Sequence, residues 1–326
     1  MVTVRLFKRG ETDERKGNVR VLYASDVHGS ETTFRKFLNA ANMYRADVMI
    51  IGGDLAGKAL VPILNLGEGK YEIDGKVVGR EGLDQYVKEL RRRGDYHVIV
   101  DRKGLQELNE DPRKRDKAFQ QAMEDVLRDW FRITEEKTKE RRIPFYVNLG
   151  NDDPSFLFDV LKESELMEVS EGKVVEIAGH EMISFGYVNP TPWNTPREMD
   201  EDRLYSELKS MVNKLREPRN SIYNLHAPPY GTLLDNAPEL TPDLRVVVRG
   251  GEVVMTHVGS KSVRKLLEET KPLLGIHGHI HESRGTGKLG DTVVLNPGSQ
   301  YSAGMLQGAI INFEDGKLKG VQLFVG

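Results

Sequence analysis

Five short segments of this chain carry side chains that could grip a divalent cation: Asp26-Val27-His28, Gly52-Gly53-Asp54, Gly150-Asn151-Asp152-Asp153, His226 and Gly278-His279-Ile280-His281. Imidazole, carboxylate and amide oxygen are donors that suit Mn, Fe, Zn or Co. Cysteine is absent, so thiolate sites, disulfides and cysteine nucleophiles are excluded, and any metal must be held by nitrogen and oxygen. Each segment alone is a common string of residues. Joint chemistry needs a fold that carries them to one place.

The elements that would do so can be read from the apolar pattern. Residues 19–24, 47–51, 145–149, 222–225 and 273–276 are short apolar runs that each lead into one of the five segments, and they read as buried strands. Residues 253–256 and 292–295 read the same way. Strand ends in α/β folds direct their loops to one edge of a sheet, where ligands far apart in sequence can converge. Ser30 is placed to cap a helix with Phe34, Phe37, Leu38 and Ala41 on one face, so strand, loop, helix and strand predict a crossover unit. Residues 174–177 and 182–187 read as paired strands, as do 309–313 and 318–325 around Asp315-Gly316, which predicts mixed sheets. Residues 55–143 are less regular. They hold a hairpin around Asp74-Gly75, a basic helix ending at Arg91, Arg92 and Arg93, and an amphipathic helix near 117–141. Phe119, Met123, Val126, Leu127 and Trp130 of that last helix are expected to face the main sheet. Val2, Val4 and Leu6 read as a short strand ahead of a charged run at 11–16.

The 326 residues, 38% hydrophobic, suffice for one large core or for two domains. Forty-seven basic against 50 acidic side chains give a net charge of −3, so no global positive field draws the chain to nucleic acid or anionic lipid. No stretch has the character of a secretion signal or the length of a membrane span, and a cytoplasmic location is expected.

In type and order, the five segments resemble the loops of the calcineurin-like metallophosphoesterase superfamily, which run D-x-H, G-D, G-N-H-D/E, H and G-H-x-H. Asn296-Pro297-Gly298-Ser299 also falls where that family places it, and the likeness extends from residue 19 to about 299. His226-Ala227-Pro228-Pro229-Tyr230-Gly231-Thr232 and His281-Glu282-Ser283 look like its branch of Icc-related predicted phosphoesterases. The resemblance implies an α/β (α+β) fold, a four-layer α-β-β-α sandwich of two mixed sheets with a dinuclear metal site at one sheet edge. We read residues 1–326 as a single domain with an insertion at 55–116, a candidate lid or assembly surface.

Carried over position by position, the resemblance gives one cation to Asp26, His28, Asp54 and His281. It gives a second to Asp54, Asn151, His226 and His279, with Asp54 bridging. Asn151, Asp152 and His226 are the catalytic candidates. Two divalent ions, manganese first with Fe, Zn, Co or Ni as alternatives, would then share a hydroxide that attacks phosphorus in line. The implied substrate is a small phosphate ester or nucleotide, as mono- or diester, with no membrane partner. A DNA nuclease and a catalytically weak scaffold or nucleotide-binding protein are the competing readings.

One departure stands out: the family commonly has histidine after the asparagine, where this chain has Asp152. An ionised carboxylate there would repel phosphate, so Asp152 is expected to turn away, carry a proton or bond to a ligand such as His28. That favours activated or cyclic esters, which need little help at the leaving group. Lys58 and Arg284 could each offer a positive charge to the substrate, and Pro190-Thr191-Pro192-Trp193 could present an aromatic ring. His277 is read as structural, His257 as a neighbour of a helix cap at Ser260, and His97 and His180 as facing solvent.

Overall fold

The computed structural model describes residues 17–326, so the expected strand at Val2, Val4 and Leu6 and the charged run after it lie outside the described residues. Two six-stranded sheets dominate. The first runs in the order Lys317–Val325, Gln307–Glu314, Asn18–Ala24, Val48–Ile51, Phe145–Val147 and Met167–Val169. The second runs Gly285–Leu289, Thr292–Asn296, Leu274–Ile276, Ile222–Leu225, His180–Phe185 and Val175–Ile177. In the first, antiparallel pairs on the Lys317–Val325 side give way to parallel pairs through Met167–Val169; in the second, a parallel centre has an antiparallel edge on each side.

These strands are apolar on both faces because each sheet is covered twice. Val21 and Tyr23 point inward, with Val48, Ile50 and Ile311, onto Met182, Ile222, Leu274 and Ile276 of the opposite sheet. Leu22, Ala24, Met49 and Ile51 alternate with them and meet Phe34, Phe37, Leu127 and Trp130 from the outer helices. Beyond the second sheet, Ile183, Tyr223 and Leu225 pack on Leu204 and Leu208 of Glu201–Val212 and on Val263, Leu266 and Leu267 of Lys261–Thr270. The result is the four-layer α-β-β-α sandwich expected from the resemblance.

Ser30 accepts from the Thr33 amide and caps the helix Glu31–Met43, as its position predicts. The long helix runs Pro112–Thr138, with Asp111 as its cap and proline in its first turn. Within it, Trp130 is buried and lies flat on Phe34, ring centres 4.1 Å apart and planes 5° apart. Trp130→Ala should cost about 3–5 kcal/mol of unfolding free energy, read by circular dichroism in urea. A loss below about 1 kcal/mol would mean that this helix is not part of the core.

Residues 60–110 build a separate small sheet, in the order Lys76–Val78, Lys70–Ile73, Leu60–Gly67 and Tyr96–Val100, with helices Arg80–Arg93 and Arg102–Glu110. Asp74 and Gly75 take positive φ in its hairpin turn. Its own apolar kernel is Ile63, Leu83 and Leu90. Gly94 closes the helix Arg80–Arg93 in the left-handed region, and a Cβ there would sit 1.9 Å from the His28 carbonyl oxygen. This unit therefore lies directly against the loop that carries His28.

Two expectations are corrected. Residues 253–256 do not form a buried strand: Glu252–Val253 and Met255–His257 belong to two narrow ribbons outside the main sheets, with Val253 and Met255 about half exposed. A two-stranded ribbon has no second layer to bury its apolar side chains. His180 does not face solvent. Its ring is buried between the carbonyls of Asn220 and Gly316, each 2.8 Å from a ring nitrogen, and ties the second sheet to the last hairpin of the first. His97 is half-buried. Among the described residues no helix is long and apolar enough to cross a membrane.

Candidate metal centre

The loops that follow Asn18–Ala24, Val48–Ile51, Phe145–Val147, Ile222–Leu225 and Leu274–Ile276 meet at one end of the paired sheets. Their backbones are stitched together. The Asp26 and His28 amides donate to the carbonyls of Gly53 and Asp54, and the Gly278 amide donates to that of His226. Asn296 adds two bonds from its side-chain amide, to the carbonyls of Gly278 and Ile280, and the Ser299 hydroxyl donates to the Asp26 carbonyl at 2.6 Å. The segment Asn296-Pro297-Gly298-Ser299 is thus a brace for the histidine loops.

Two glycines permit the close approach. A Cβ on Gly150 would lie 2.1 Å from Asp54 Oδ1, and one on Gly278 would lie 2.5 Å from Asp26 Oδ2. Asp26, His28, Asp54 and His279 all hold positive φ, at 58°, 39°, 51° and 67°. Side chains with a Cβ adopt that region rarely and at a cost of about 1–3 kcal/mol each, and such residues concentrate at functional sites.

Asp26, His28 and His281 bring one donor atom each to within 4.8 Å of one another, and so do Asp54, His226 and His279. Asp54 Oδ2 lies between the groups, 3.5 Å from His28 Nε2 and 3.3 Å from His226 Nε2. His28 Nε2 and His281 Nε2 face each other at 3.1 Å. His28 Nδ1 approaches the Ala56 carbonyl at 3.3 Å, which can only accept, so the proton sits on Nδ1 and Nε2 turns a lone pair inward. Asn151 Oδ1 and both ring nitrogens of His226 are buried without a hydrogen-bond partner. A buried polar atom is usually hydrogen-bonded, so these three are open to a ligand. This donor set fits divalent cations.

Charge in the cup is set by acids and imidazoles acting on one another, and a cation binding at His226 would have to displace a proton. Burial opposes charge on His226, but the carboxylates of Asp54 and Asp26 outweigh it and raise its pKa to about 9. Burial likewise opposes charge on Asp26 and Asp54, and His226 in each case leads the neighbours that hold the carboxyl well below the usual range. Burial lowers His28 to about 3 and His279 to about 4, leaving both rings neutral and able to ligate.

Of the courses expected of it, Asp152 takes the bond to a candidate ligand, though to Asn151, whose Nδ2 donates to its Oδ1 at 3.3 Å, and not to His28. Its Oδ2 takes a salt bridge from Lys58 Nζ at 2.6 Å and stays 4.0 Å from His28 Nδ1, too far for a hydrogen bond. Its amide donates to Asp54 Oδ1 at 3.0 Å. Burial, then the Asp54 charge, raise the Asp152 pKa, against the pull of Lys58. Arg284 is exposed, and Trp193 is 62% exposed on the loop whose Thr195 meets Asn151. His277 is buried and bonds the carbonyls of Leu225 and Ala227, a structural use, and burial lowers its pKa to about 4. His257 meets Asp235 at 2.8 Å beside the capping Ser260.

Sequence reasoning assigned no part to Asp153. Its buried carboxylate accepts the amides of Leu55, Ala56 and Gly150 at 2.7–2.9 Å and so locks two ligand loops together. Its place at the end of the Gly150-Asn151-Asp152-Asp153 string was the available signal. Tyr301, whose ring tilts over His28 at 4.6 Å, carried no signal in its surroundings.

A family model described as calcineurin-like phosphoesterase matches residues 19–283. An uncharacterized protein of Methanocaldococcus jannaschii is 36% identical over 150 residues, which is 45% of this chain and 61% of that protein. The chain thus spans less than two thirds of the length of that relative. One solved structure matches with TM-score 0.58 at 18% identity, covering 94% of this chain and 98% of the other. The structure of TT1561 of Thermus thermophilus matches with TM-score 0.50 at 14% identity, over 94% of this chain and 98% of that one. At those identities the structural likeness speaks to the fold.

Proposed function

The chain belongs to the calcineurin-like phosphoesterase family, and from that premise we propose that it hydrolyses small phosphate esters, nucleotides or aryl diesters among them, with two divalent cations held by Asp26, His28, Asp54, Asn151, His226, His279 and His281. One observation carries this reading: a single carboxylate oxygen, Asp54 Oδ2, stands within 3.5 Å of His28 Nε2 and 3.3 Å of His226 Nε2, at the junction of two donor groups. Cations bound there would supply a water activated near neutral pH and neutralise charge on the phosphoryl oxygens. Manganese is our first choice, since histidine and carboxylate donors accept it readily.

The remaining residues set the substrate. Lys58, half exposed beside Asp54 and His28, is a cation at the mouth of the cup that can reach a phosphoryl oxygen while Asp152 holds its ammonium in place. Because Asp152 occupies the position next to Asn151, no imidazole is there to protonate a departing oxygen, which favours esters with good leaving groups. Trp193, exposed on the neighbouring loop, suits a flat leaving group such as a nucleoside or an aryl ring.

The test is a panel of a nitrophenyl diester, the matching monoester, 2′,3′-cyclic nucleotides and single-stranded DNA, offered with Mn²⁺ to protein whose metal content has been measured. Turnover of the small esters, abolished by chelator and restored by Mn²⁺, is expected. Activity confined to DNA, or none with any metal, would overturn the reading. Lys58→Ala should lower kcat/KM about 10- to 100-fold, the worth of one charge-assisted hydrogen bond, while Lys58→Arg keeps most of it. Equal kinetics for Lys58→Ala and wild type would remove Lys58 from the substrate site.

A further inference from the structure

An asparagine can ligate a cation only through its oxygen, and an amide can turn either end toward a site. Asn151 is therefore useful only if something selects its orientation. The structure supplies a selector from a segment far away in sequence. The Thr195 hydroxyl has one proton, and it donates that proton to Glu198 Oε1 at 2.6 Å; a carboxylate can do nothing but accept. The lone pairs of the same hydroxyl then face Asn151, whose Nδ2 donates to Thr195 Oγ1 at 3.0 Å. Asp152 Oδ1, a second acceptor, lies 3.3 Å from the same nitrogen. Both neighbours accept, so the flipped amide would set oxygen against oxygen. Asn151 Oδ1 is thereby turned the other way, where it is buried and unpartnered.

Glu198 is itself pinned. Besides the Thr195 hydroxyl it accepts the Thr195 amide at 2.8 Å, the Thr191 amide at 2.9 Å and the Thr191 hydroxyl. The Arg197 amide between them donates to the Asn151 carbonyl at 3.1 Å, so this loop grips Asn151 by its backbone as well as by its side chain.

We propose that Thr195, oriented by Glu198, is the positioning residue that fixes the Asn151 amide with its oxygen toward the second cation. This rests on the two-cation reading above and deepens it.

The test is calorimetric titration of the full chain with Mn²⁺, backed by elemental analysis after dialysis. Thr195→Val keeps the shape and removes the acceptor. The second Mn²⁺ should bind about 10- to 100-fold more weakly, the usual effect of losing a group that orients a ligand, with the first unchanged. Thr195→Ser should restore wild-type affinity. In an Asn151→Asp background, where either side-chain end is an oxygen, Thr195→Val should have no further effect. If Thr195→Val fails to fold, Glu198→Gln tests the same chain, because its amide can donate to Thr195 and free the hydroxyl proton to face Asn151; the same weakening is expected. A folded Thr195→Val that binds both ions like wild type would overturn the positioning role alone. Wild type that takes up fewer than two Mn²⁺ per chain would overturn the two-cation reading together with it.

Discussion

Asp54→Asn is expected to lower kcat/KM by at least about 10³-fold, because a residue that merely orients a ligand already costs about 10- to 100-fold and Asp54 Oδ2 lies between the two donor groups, near His28 of one and His226 of the other. Asparagine keeps an oxygen for the Asp152 amide, which Asp54 Oδ1 accepts at 3.0 Å, so the loop has no reason to collapse. What disappears is the second anionic oxygen and its charge, beside Asp26 and three histidines. Against the effect of burial, its neighbours hold the Asp54 carboxyl well below the usual range, with His226 foremost, so the charge stabilises the fold above that range and the variant should be somewhat less stable than wild type in chelator. With Mn²⁺ the gap should widen. A ligand stabilises only the form it binds, so wild type should gain in melting temperature as Mn²⁺ is added and the variant should gain little. Thermal melts with and without Mn²⁺, beside kinetics on the nitrophenyl diester, measure both effects. A variant that retains a tenth of wild-type turnover, or that shows the full Mn²⁺ shift, would remove Asp54 from the bridging position proposed for it.

How much of this was legible in the sequence depends on how local the cause is. Ser30 and the face of Phe34, Phe37 and Leu38 were readable because a cap and a helical stripe are set within a few residues. The strand leading to Asp26 was readable because burial on both faces leaves an unbroken apolar run. The same rule misled at residues 253–256, where an equally apolar run lies on an exposed ribbon; a single run does not say whether a second layer covers it. His180 was misplaced for the complementary reason. Its two partners lie 40 and 136 residues away, and nothing beside it in sequence announces them.

The candidate site divides along the same line. The donor types and their order could be recognised, since each follows a strand. Their backbone conformations could not, because positive φ at Asp26, His28, Asp54 and His279 is imposed by the facing loops rather than by the residues. Lys58 could be noticed but not paired, and its bond to Asp152 spans two loops joined only in the fold. Thr195 lay in an irregular stretch with no motif around it, yet it is the residue that gives Asn151 a direction.

Asp153→Ala is the variant expected to harm the fold most. Oδ1 accepts the Ala56 amide at 2.7 Å, and Oδ2 accepts those of Leu55 at 2.9 Å and Gly150 at 2.8 Å, all in a place with no access to water. Burial, then the charge of Asp54, push the Asp153 pKa up to about 7 against these three donors. Alanine leaves all three buried without acceptors. Each such group costs about 1–3 kcal/mol, so a loss of about 3–6 kcal/mol is expected after some relaxation. Against a total of about 5–15 kcal/mol for a folded domain, that brings the chain close to unfolding at ordinary temperature. Asp153→Asn should fall between, because one oxygen remains while the new amide nitrogen opposes an N–H. Urea unfolding followed by circular dichroism gives the ranking. Leu55 and Ala56 follow Asp54 directly and Gly150 precedes Asn151, so Mn²⁺ affinity should fall in the same order as stability. If Asp153→Ala kept wild-type stability and lost only turnover, Asp153 would belong to the chemistry and not to the brace beneath it.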